Sequence, residues 1–282
     1  MNRDEFEMGC RRSARAHYMG GGVMLCTPLG AVRAGGVLMV ASATDRGIVP
    51  HLMLDGFWES WVSLWLMREL ERRRRNDESV RLLNIGANCG YYSLMGAALG
   101  ASVVAVDPNQ AHCVNIRDSA HLSGLHDRLR VVQAACSDYA GEASISFIRG
   151  HTMNGFVARS AATIASMNAV SKDLPEDRVT VTVPAMTADS AMSDANLLFM
   201  DTEGHEPFVW HGAKGIRANK GFVAAIEWSP QRYDDPGGFY ESVLADGFEF
   251  FVIGLDGRES RVTREALMEK EQMVVLRARG NP

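Results

Sequence analysis

The sequence lacks the features that mark membrane, secreted and nucleic-acid-binding proteins. Its 282 residues contain no apolar run that approaches the about 20 residues needed to span a bilayer. The stretch Met1–Glu7 carries acidic side chains where a signal peptide has a basic start and an apolar core. The formal net charge of -5 provides no general attraction to nucleic acid. We therefore expect a cytoplasmic protein that neither enters a membrane nor binds nucleic acid.

Cysteine is scarce as well. The five cysteines are odd in number, lie far apart and include no Cys-x-x-Cys pair. This spacing argues against a disulfide framework or a zinc site and fits a reducing compartment. The hydrophobic content of 46% is sufficient for one large core with a small appendage.

From Val80 onward, apolar runs that end in turn residues alternate with helical patterns. This alternation predicts an α/β fold with a doubly wound, mostly parallel sheet in residues 79–282. Two later runs, 248–253 and 272–276, are predicted to pair as a closing hairpin, and Asp256-Gly257 between them is a turn signal. The parallel strands are predicted at 80–86, 102–106, 129–133, 196–200 and 221–227.

Residues 1–78 form a predicted N-terminal cap with short strands at 23–26 and 37–41. Trp58, Trp61 and Trp65 recur at helical spacing, so we expect a helix that turns them toward the core. The run Arg72–Arg75 at its end is interpreted as a solvated, cationic helix terminus. A basic face that binds RNA or DNA is the alternative, and the apolar cap strands are candidates for a contact between two copies of the chain.

The turn after the first predicted strand has the pattern of a nucleoside site. Gly86, Asn88 and Gly90 do not form the Gly-x-Gly-x-x-Gly fingerprint, since Tyr91 stands at the last glycine position. This counts against a nicotinamide or flavin cofactor. S-adenosylmethionine has no pyrophosphate and needs only a tight turn, while Asp107 at the end of the next strand is placed to hold a ribose diol. The cofactor candidates in this region are Asn84, Gly86, Ala87, Asn88, Gly90, Tyr91, Ser93, Asp107, Pro108 and Asn109.

A second acidic motif follows the fourth predicted strand. Asp201-Thr-Glu-Gly-His-Glu206 leads into a short helix for which Pro207 suits the first position and Gly212 the end. Glu227 ends the next strand. Ligands of an open parallel sheet bind at the carboxyl ends of its strands, so these acids and Asp107 are predicted to lie along one rim.

These motifs together resemble the FkbM family of S-adenosylmethionine-dependent methyltransferases, from about Val80 to the C-terminus. The resemblance implies a class I methyltransferase fold of Rossmann-like type and methylation of hydroxyl groups on sugars or secondary metabolites. It also implies that Glu59, just before the tryptophan helix, lies near the cofactor. Two positions depart from the family pattern, because Asn84 stands where aspartate is common and Asp107 where glutamate is common.

For the chemistry we expect a base that removes the proton of an acceptor hydroxyl. His205 is favoured because an imidazole titrates near neutral pH, with Asp201 as the alternative and Glu203 beside them. His205 could instead fix the turn through its ring nitrogens. The insertion 149–177 is predicted to be either a lid or acceptor pocket, or a plain surface loop with a helical turn. The substrate-binding candidates are His151, which is also the next candidate base, Asn154 and Glu227.

Two further alternatives remain open. Asp201, Glu203 and Glu206 offer hard oxygen ligands for a divalent cation, but their spacing matches no metal loop, and no metal is predicted. A non-catalytic nucleoside-binding or scaffolding protein that keeps the fold is the second functional candidate, suggested by the departure at Asn84.

Overall fold

The computed structural model describes residues 1–19, 22–27, 36–148, 151–157, 162–165 and 178–280, and its strands form three sheets. In chain order the strands are β1 (Arg15–Met19), β2 (Gly22–Thr27), β3 (Val37–Ser42), β4 (Arg81–Ile85), β5 (Ser102–Asp107), β6 (Leu129–Gln133), β7 (Ala135–Cys136), β8 (Gly141–Ile148), β9 (His151–Val157), β10 (Arg178–Met186), β11 (Leu197–Met200), β12 (Val223–Trp228), β13 (Phe248–Ile253), β14 (Glu259–Arg261) and β15 (Gln272–Ala278). The helices are Arg3–Ser13, Ile48–Asp55, Ser60–Arg75, Tyr91–Ala98, Gln110–Leu122, Ala188–Ala191, Glu206–His211, Pro236–Ala245 and Arg264–Glu269, with a helical turn at 162–165.

The largest sheet has eight strands in the order β14-β13-β15-β12-β11-β4-β5-β6. The five strands from β12 to β6 are parallel, and β15, β13 and β14 are each antiparallel to their neighbour. Each predicted parallel strand lies within two residues of an observed one. The α/β class and the doubly wound, mostly parallel sheet are therefore confirmed.

The closing hairpin differs from the prediction in its connection. β13 and β15 do pair antiparallel, but β15 lies between β12 and β13. The turn at Asp256-Gly257 joins β13 to the short strand β14 and not to β15. The turn itself was predicted correctly, but the strand that follows it was not. β14 was missed because a three-residue strand with an exposed arginine has no apolar run that could indicate it.

Both faces of the large sheet are buried, which explains why its strands are almost continuously apolar. On β4, Leu82 belongs to one core and the next residue, Leu83, to the other. Leu197 and Leu198 on β11 divide in the same way. Successive side chains of a strand point to opposite faces, so each strand contributes to two cores.

The N-terminal segment packs on one of these faces. Its strands β1, β2 and β3 form an antiparallel sheet, and Leu25 and Met39 join the same core as Leu82. The N–H groups of Leu38 and Val40 donate to the hydroxyls of Ser123 and Ser119 at 3.0 and 2.8 Å. The free edge of β3 is thereby covered by the helix that follows β5. The predicted boundary at residue 78 lies in the connection between the helix Ser60–Arg75 and β4.

The tryptophan helix begins at Ser60, so Trp58 precedes it, whereas Trp61 and Trp65 lie on it; Trp65 is buried and the other two are partly buried. The prediction of a solvated arginine terminus is wrong for Arg73. Its side chain is completely buried, bonds Glu69 at 2.6 Å and donates to the carbonyl of Gly221 at 2.8 Å. A buried guanidinium needs such partners because desolvation of an unpaired charge is costly.

Arg72 pairs with the same Glu69, and Arg75 pairs with Glu71. Three of the four arginines therefore form ion pairs with acids of their own helix, which disfavours a basic face for nucleic acid. None of the helices in the described ranges combines the length and the apolar character required to cross a bilayer.

The insertion contains structure that the sequence analysis did not predict. β7, β10, β8 and β9 form a four-stranded sheet in that order, and only β9 of these strands lies within 149–177. The helical turn at 162–165 agrees with one of the two predictions, whereas the strand was not predicted. The register pairs Val181 with Ile145 and Val183 with Ala143, which places apolar side chains on one face.

Candidate active site

A cavity of about 290 Å³ lies at the carboxyl ends of the parallel strands. Asp107, Asp201, Glu203 and Glu227 all line it, so the predicted common rim is confirmed. Strand ends of β4, β5, β11 and β12 converge here because the sheet is parallel across them.

In the glycine turn between β4 and the helix Tyr91–Ala98, every second residue from 86 to 90 has a left-handed backbone conformation. Gly86, Asn88 and Gly90 have φ angles of 75°, 49° and 85°. Asparagine enters the left-handed region more readily than most residues, which suits Asn88 to its position. A Cβ on Gly86 would lie 1.8 Å from the carbonyl oxygen of Asp201, so the close approach of the residue that follows β11 requires glycine at this position.

Asp107 ties the tips of two strands together. Its Oδ2 accepts from the backbone N–H of Asn88 at 2.8 Å, and its Oδ1 accepts from that of Asn109 at 2.9 Å. The Nδ1 of His112 lies 3.0 Å from the same Oδ1. Asn109 also caps the following helix, since its side chain accepts from the N–H of Ala111. The carboxylate is thus held by three donors beside the cavity.

The predicted cofactor residues separate into two groups. Gly86, Ala87, Asn88, Tyr91, Asp107, Pro108, Asn109 and Glu59 line the cavity. Asn84, Gly90 and Ser93 do not; Asn84 and Ser93 are buried and bonded to each other at 2.7 Å. Gly90 faces Ile116, whose Cγ1 would lie 2.7 Å from an added Cβ. These three residues contribute to the structure of the turn without lining the cavity.

Aromatic side chains close the cavity on the side of the N-terminal segment. Trp58, Tyr91, Tyr92 and Phe199 line it, and the rings of Tyr92 and Phe199 are 4.4 Å apart. The hydroxyl of Tyr92 donates to Glu59 at 2.8 Å. Burial raises the pKa of Glu59, although this hydrogen bond acts in the opposite direction.

Glu206 organises the turn after β11. Its Oε1 accepts from the N–H and the hydroxyl of Thr202 at 2.6 and 2.8 Å, and its Oε2 accepts from the N–H of Gly204 at 3.1 Å. The short helix begins at Glu206, with Pro207 in its first turn and Gly212 as its C-cap, as predicted. The turn is built around Glu206, and Asp201 and Glu203 project from it into the cavity.

His205 lines the cavity but is engaged by its surroundings. Its Nε2 lies 3.0 Å from the hydroxyl of Ser137, and its ring stacks on Phe208 at a centroid distance of 4.6 Å. The side chain is buried, with 2% of its surface exposed. These contacts support the alternative role, in which His205 fixes the turn, and its assignment as the base stays a prediction.

Several carboxyl groups share one cation in this site. Arg232 lies 2.5 Å from Glu203 and 3.3 Å from both Glu227 and Glu271. Burial and the charge of Glu227 raise the pKa of Glu203 to about 8, in spite of the guanidinium. Burial and neighbouring acids also raise the pKa of Asp201 and of Glu227 well above the usual range. Carboxyl groups of this kind can accept a proton near neutral pH.

Among the described residues, Asp201, Glu206 and Glu227 are close enough for a common metal ion, with ligand atoms within 4.8 Å of one another. Glu206 is poorly available for this purpose, because both of its oxygens already accept hydrogen bonds from the turn. Asp201 and Glu227 remain, and a hard cation held by these two carboxylates would take its other oxygen ligands from water or from a bound molecule.

Some site residues had no recognised signal. His112 is three residues after the helix cap, and Arg232 and Glu271 lie in or beside irregular segments. Ile145, Phe147 and Val181 reach the cavity from the second sheet. His151 and Asn154 lie on β9, and their side chains are outside the described part of the chain.

No family model matches the chain, and no curated protein does. Among solved structures, it is similar to the methyltransferase FkbM from Methylobacillus flagellatus KT, with a TM-score of 0.43 and 11% identity over 70% of this chain and 43% of that one. It is also similar to an O-methyltransferase from Bacillus cereus in complex with SAH, with a TM-score of 0.39 and 14% identity over 76% and 78% of the two chains. A SAM-dependent methyltransferase from Agrobacterium tumefaciens gives 0.40 and 13% over 93% and 71%. The chain spans less than half the length of the Methylobacillus protein, and similarity at this level leaves the function to be argued from the site.

Proposed function

We propose that the protein is an S-adenosylmethionine-dependent O-methyltransferase that acts on a hydroxyl of a small molecule, such as a sugar or a secondary metabolite. One observation carries this proposal. Asp107 at the end of β5 accepts from the N–H of Asn88 in the turn after β4, and both residues line the cavity. A glycine-containing turn joined to an acid at the tip of the next parallel strand is the arrangement that holds a nucleoside ribose.

The cavity suits the cofactor in its remaining features. A carboxylate offers about four lone-pair positions, so Asp107 can accept from a ribose hydroxyl as well as from its three present donors. Aromatic and aliphatic side chains provide apolar surface for an adenine ring, among them Trp58, Phe147 and Phe199. The acids of the rim would face the positive sulfonium.

When bound, S-adenosylmethionine supplies an electrophilic methyl carbon, and its sulfur leaves as a neutral thioether with the bonding electron pair. The protein must orient the acceptor oxygen in line with that bond and take up the hydroxyl proton. We assign the proton acceptor to the carboxyl pair Asp201 and Glu227, which line the cavity with their oxygens within 4.8 Å of each other and would act in the ionised form. His205 is the second choice, because Ser137 occupies its Nε2.

The non-catalytic alternative is weakened by the position of Asn84. This residue prompted the alternative, but it is buried and bonds Ser93 behind the turn, so aspartate at this position is not needed to line the cavity. A cytoplasmic location belongs to the same proposal. Among the described residues, Cys89, Cys113 and Cys136 are free thiols, which fits a reducing environment.

The proposal is tested first by calorimetric titration with S-adenosylmethionine, S-adenosylhomocysteine and NAD. We expect micromolar binding of both sulfur nucleosides and none of NAD. Asp107→Ala should abolish binding, while the matched control Asp127→Ala, at a side chain that is 91% exposed, should bind like the wild type. Failure of the wild type to bind either sulfur nucleoside would contradict the proposal.

Transfer of a labelled methyl group to hydroxylated compounds then tests catalysis. Asp201→Asn should bind cofactor and lose transfer. If the wild type binds cofactor and methylates none of a broad set of hydroxylated compounds, the result favours the non-catalytic alternative over the proposed enzyme.

A further inference from the structure

A second cavity adjoins the first one. It has a volume of about 790 Å³ and lies between the start of the helix Ser60–Arg75, the end of β13 and the segment 261–273. Its volume is within the range of ligand sites, which is about 300–1,000 Å³. The residues that line both cavities are all acidic: Glu59, Asp201, Glu227 and Glu271.

We propose that this second cavity binds the methyl acceptor, and that the acceptor is an amino alcohol or amino sugar whose protonated amine binds the shared carboxylates beside the reacting hydroxyl. The inference rests on the proposed function, since it takes the first cavity to be the cofactor site. The acceptor would then lie away from the described residues of the insertion 149–177.

The four acids shared by the two cavities form an acidic wall between them, and the position of this wall supports the second cavity as the acceptor site. Asp201 and Glu227, the groups assigned to proton uptake, face both cavities, so a molecule in the second cavity would present its hydroxyl to the base and to the first cavity at once. The described residues of the second sheet line the first cavity and not the second. Side chains that could pack against a carbon skeleton also line the second cavity: Val252, Ile253, Leu255, Val262 and Met273.

The balance of charge supports the class of acceptor. Arg232 is the cation that pairs with the rim, and it already serves Glu203, Glu227 and Glu271. The principal charges that act on Asp201 are those of other acids, Glu203, Glu206 and Glu59. Without a bound cation, burial and mutual repulsion raise the pKa values of Glu59, Asp201 and Glu227 and favour their protonated forms, and a cation bound beside them would favour the ionised forms. An ammonium beside the four shared acids would offset their charge, whereas a phosphate placed there would add repulsion. Arg261 and Lys270 also line the second cavity, but they do not line the first one.

A divalent cation is a less suitable partner for the negative charge of these acids. Glu206 completes the only three-acid group of the described residues that could hold a metal, and its oxygens are committed to Thr202 and Gly204. The wall acids Glu59 and Glu271 are outside that group. An organic cation needs no complete coordination shell and can bind the remaining carboxylates singly.

The test compares matched sugars in the presence of saturating S-adenosylhomocysteine at pH 7. Dissociation constants are measured by NMR for glucosamine, galactosamine and mannosamine, for the three neutral hexoses and for their 6-phosphates. We expect each amino sugar to bind about tenfold more tightly than its neutral counterpart, because hydrogen bonds to charged groups contribute more than neutral ones. The phosphates should bind more weakly than the neutral sugars.

Two variants localise the binding. Ala266 lines the second cavity only, so Ala266→Trp should fill it and abolish amino sugar binding. Glu265→Trp, at the exposed neighbouring position of the same helix, should have no effect. Both variants should bind S-adenosylhomocysteine like the wild type, and thermal unfolding checks that both are folded.

The outcomes separate the two proposals. If the wild type does not bind S-adenosylhomocysteine, the proposed function fails. If it does, the acceptor inference is overturned by amino sugars that bind no better than neutral sugars or not at all, or by binding that survives Ala266→Trp. Binding that requires added Mg²⁺ and disappears with a chelator would also overturn it, because the charge bound by the wall would then be a metal.

Discussion

The Nδ1 of His112 lies 3.0 Å from the Oδ1 of Asp107, and this contact joins the first turn of the helix Gln110–Leu122 to the tip of β5. An ionised carboxylate only accepts hydrogen bonds, so Nδ1 carries the proton. Burial lowers the pKa of His112, but the charge and the hydrogen bond of Asp107 outweigh it, with a further contribution from Asp45, and the pKa is raised. The imidazole therefore holds the carboxylate oriented beside the cavity.

Replacement of His112 should weaken cofactor binding without loss of the fold. We expect His112→Leu to raise the dissociation constant of S-adenosylhomocysteine about tenfold, since a hydrogen bond to a charged group contributes about 1.5–3 kcal/mol. His112→Asn should retain most of the affinity, because an amide nitrogen can approach the position of Nδ1. Calorimetry measures both constants. Equal losses in the two variants would show that the ring acts by packing alone.

Gly86→Ala should strongly destabilise the protein. The new Cβ would lie 1.8 Å from the carbonyl oxygen of Asp201, and backbone atoms cannot move aside cheaply. We expect the free energy of unfolding to fall by about 3 kcal/mol or more.

Gly100→Ala is the matched control. Gly100 also has a positive φ, of 97°, but an added Cβ would meet no atom within 4 Å, so the loss should be only about 1–2 kcal/mol. Urea unfolding measures both variants, and similar losses would contradict the steric argument for Gly86.

The parallel strands could be predicted because burial on both faces makes them continuously apolar and turn residues end them. The second sheet was missed although one of its strands has a signal. Val179, Val181 and Val183 alternate with threonines along β10, which is the period of a half-buried strand. The absence of a long apolar run hid this pattern.

The polar part of the site was predictable only where it follows a strand. Asp107 and Asp201 do so, and both reach the cavity. Glu271 reaches it because the antiparallel register of β15 places Met273 opposite Glu227, and this pairing is set by tertiary structure. The burial of Arg73 likewise depends on carbonyls more than a hundred residues away, at Asn196 and Gly221.

Arg73→Met should destabilise the protein by about 3–5 kcal/mol, because the buried Glu69 would lose its closest cation. Arg75→Met is the control, since the pair of Arg75 with Glu71 is exposed and such pairs contribute about 0–1 kcal/mol. Chemical denaturation of the two variants checks the difference. A loss below about 1 kcal/mol for Arg73→Met would contradict the role of the buried pair.

The same network should make the protein sensitive to acid. Burial alone would raise the pKa of Glu69, but Arg72, Arg277 and Arg73 lower it to about 2. The folded-state pKa is below the unfolded value, so the stability contributed by Glu69 is present above about pH 4.5 and is lost as the pH falls toward 2. Glu69→Gln should show a smaller loss of stability across this window in a series of thermal unfolding measurements. An unchanged slope would mean that other acids dominate.

Glu203 should have the opposite effect on stability. Burial and Glu227 raise its pKa to about 8, so between about pH 4.5 and 8 the folded state binds a proton that the unfolded state has released. The free energy of unfolding should therefore decrease as the pH rises through this window, and Glu203→Gln should flatten the decrease, whereas the exposed Glu241→Gln should not. Denaturant unfolding at half-unit intervals of pH measures the slope, and equal slopes in wild type and Glu203→Gln would contradict the raised pKa. Glu203→Gln also removes the ion pair with Arg232, but this loss has little effect on the comparison of slopes. It changes how stable the variant is at each pH, whereas the slope reports how many protons the folded state holds.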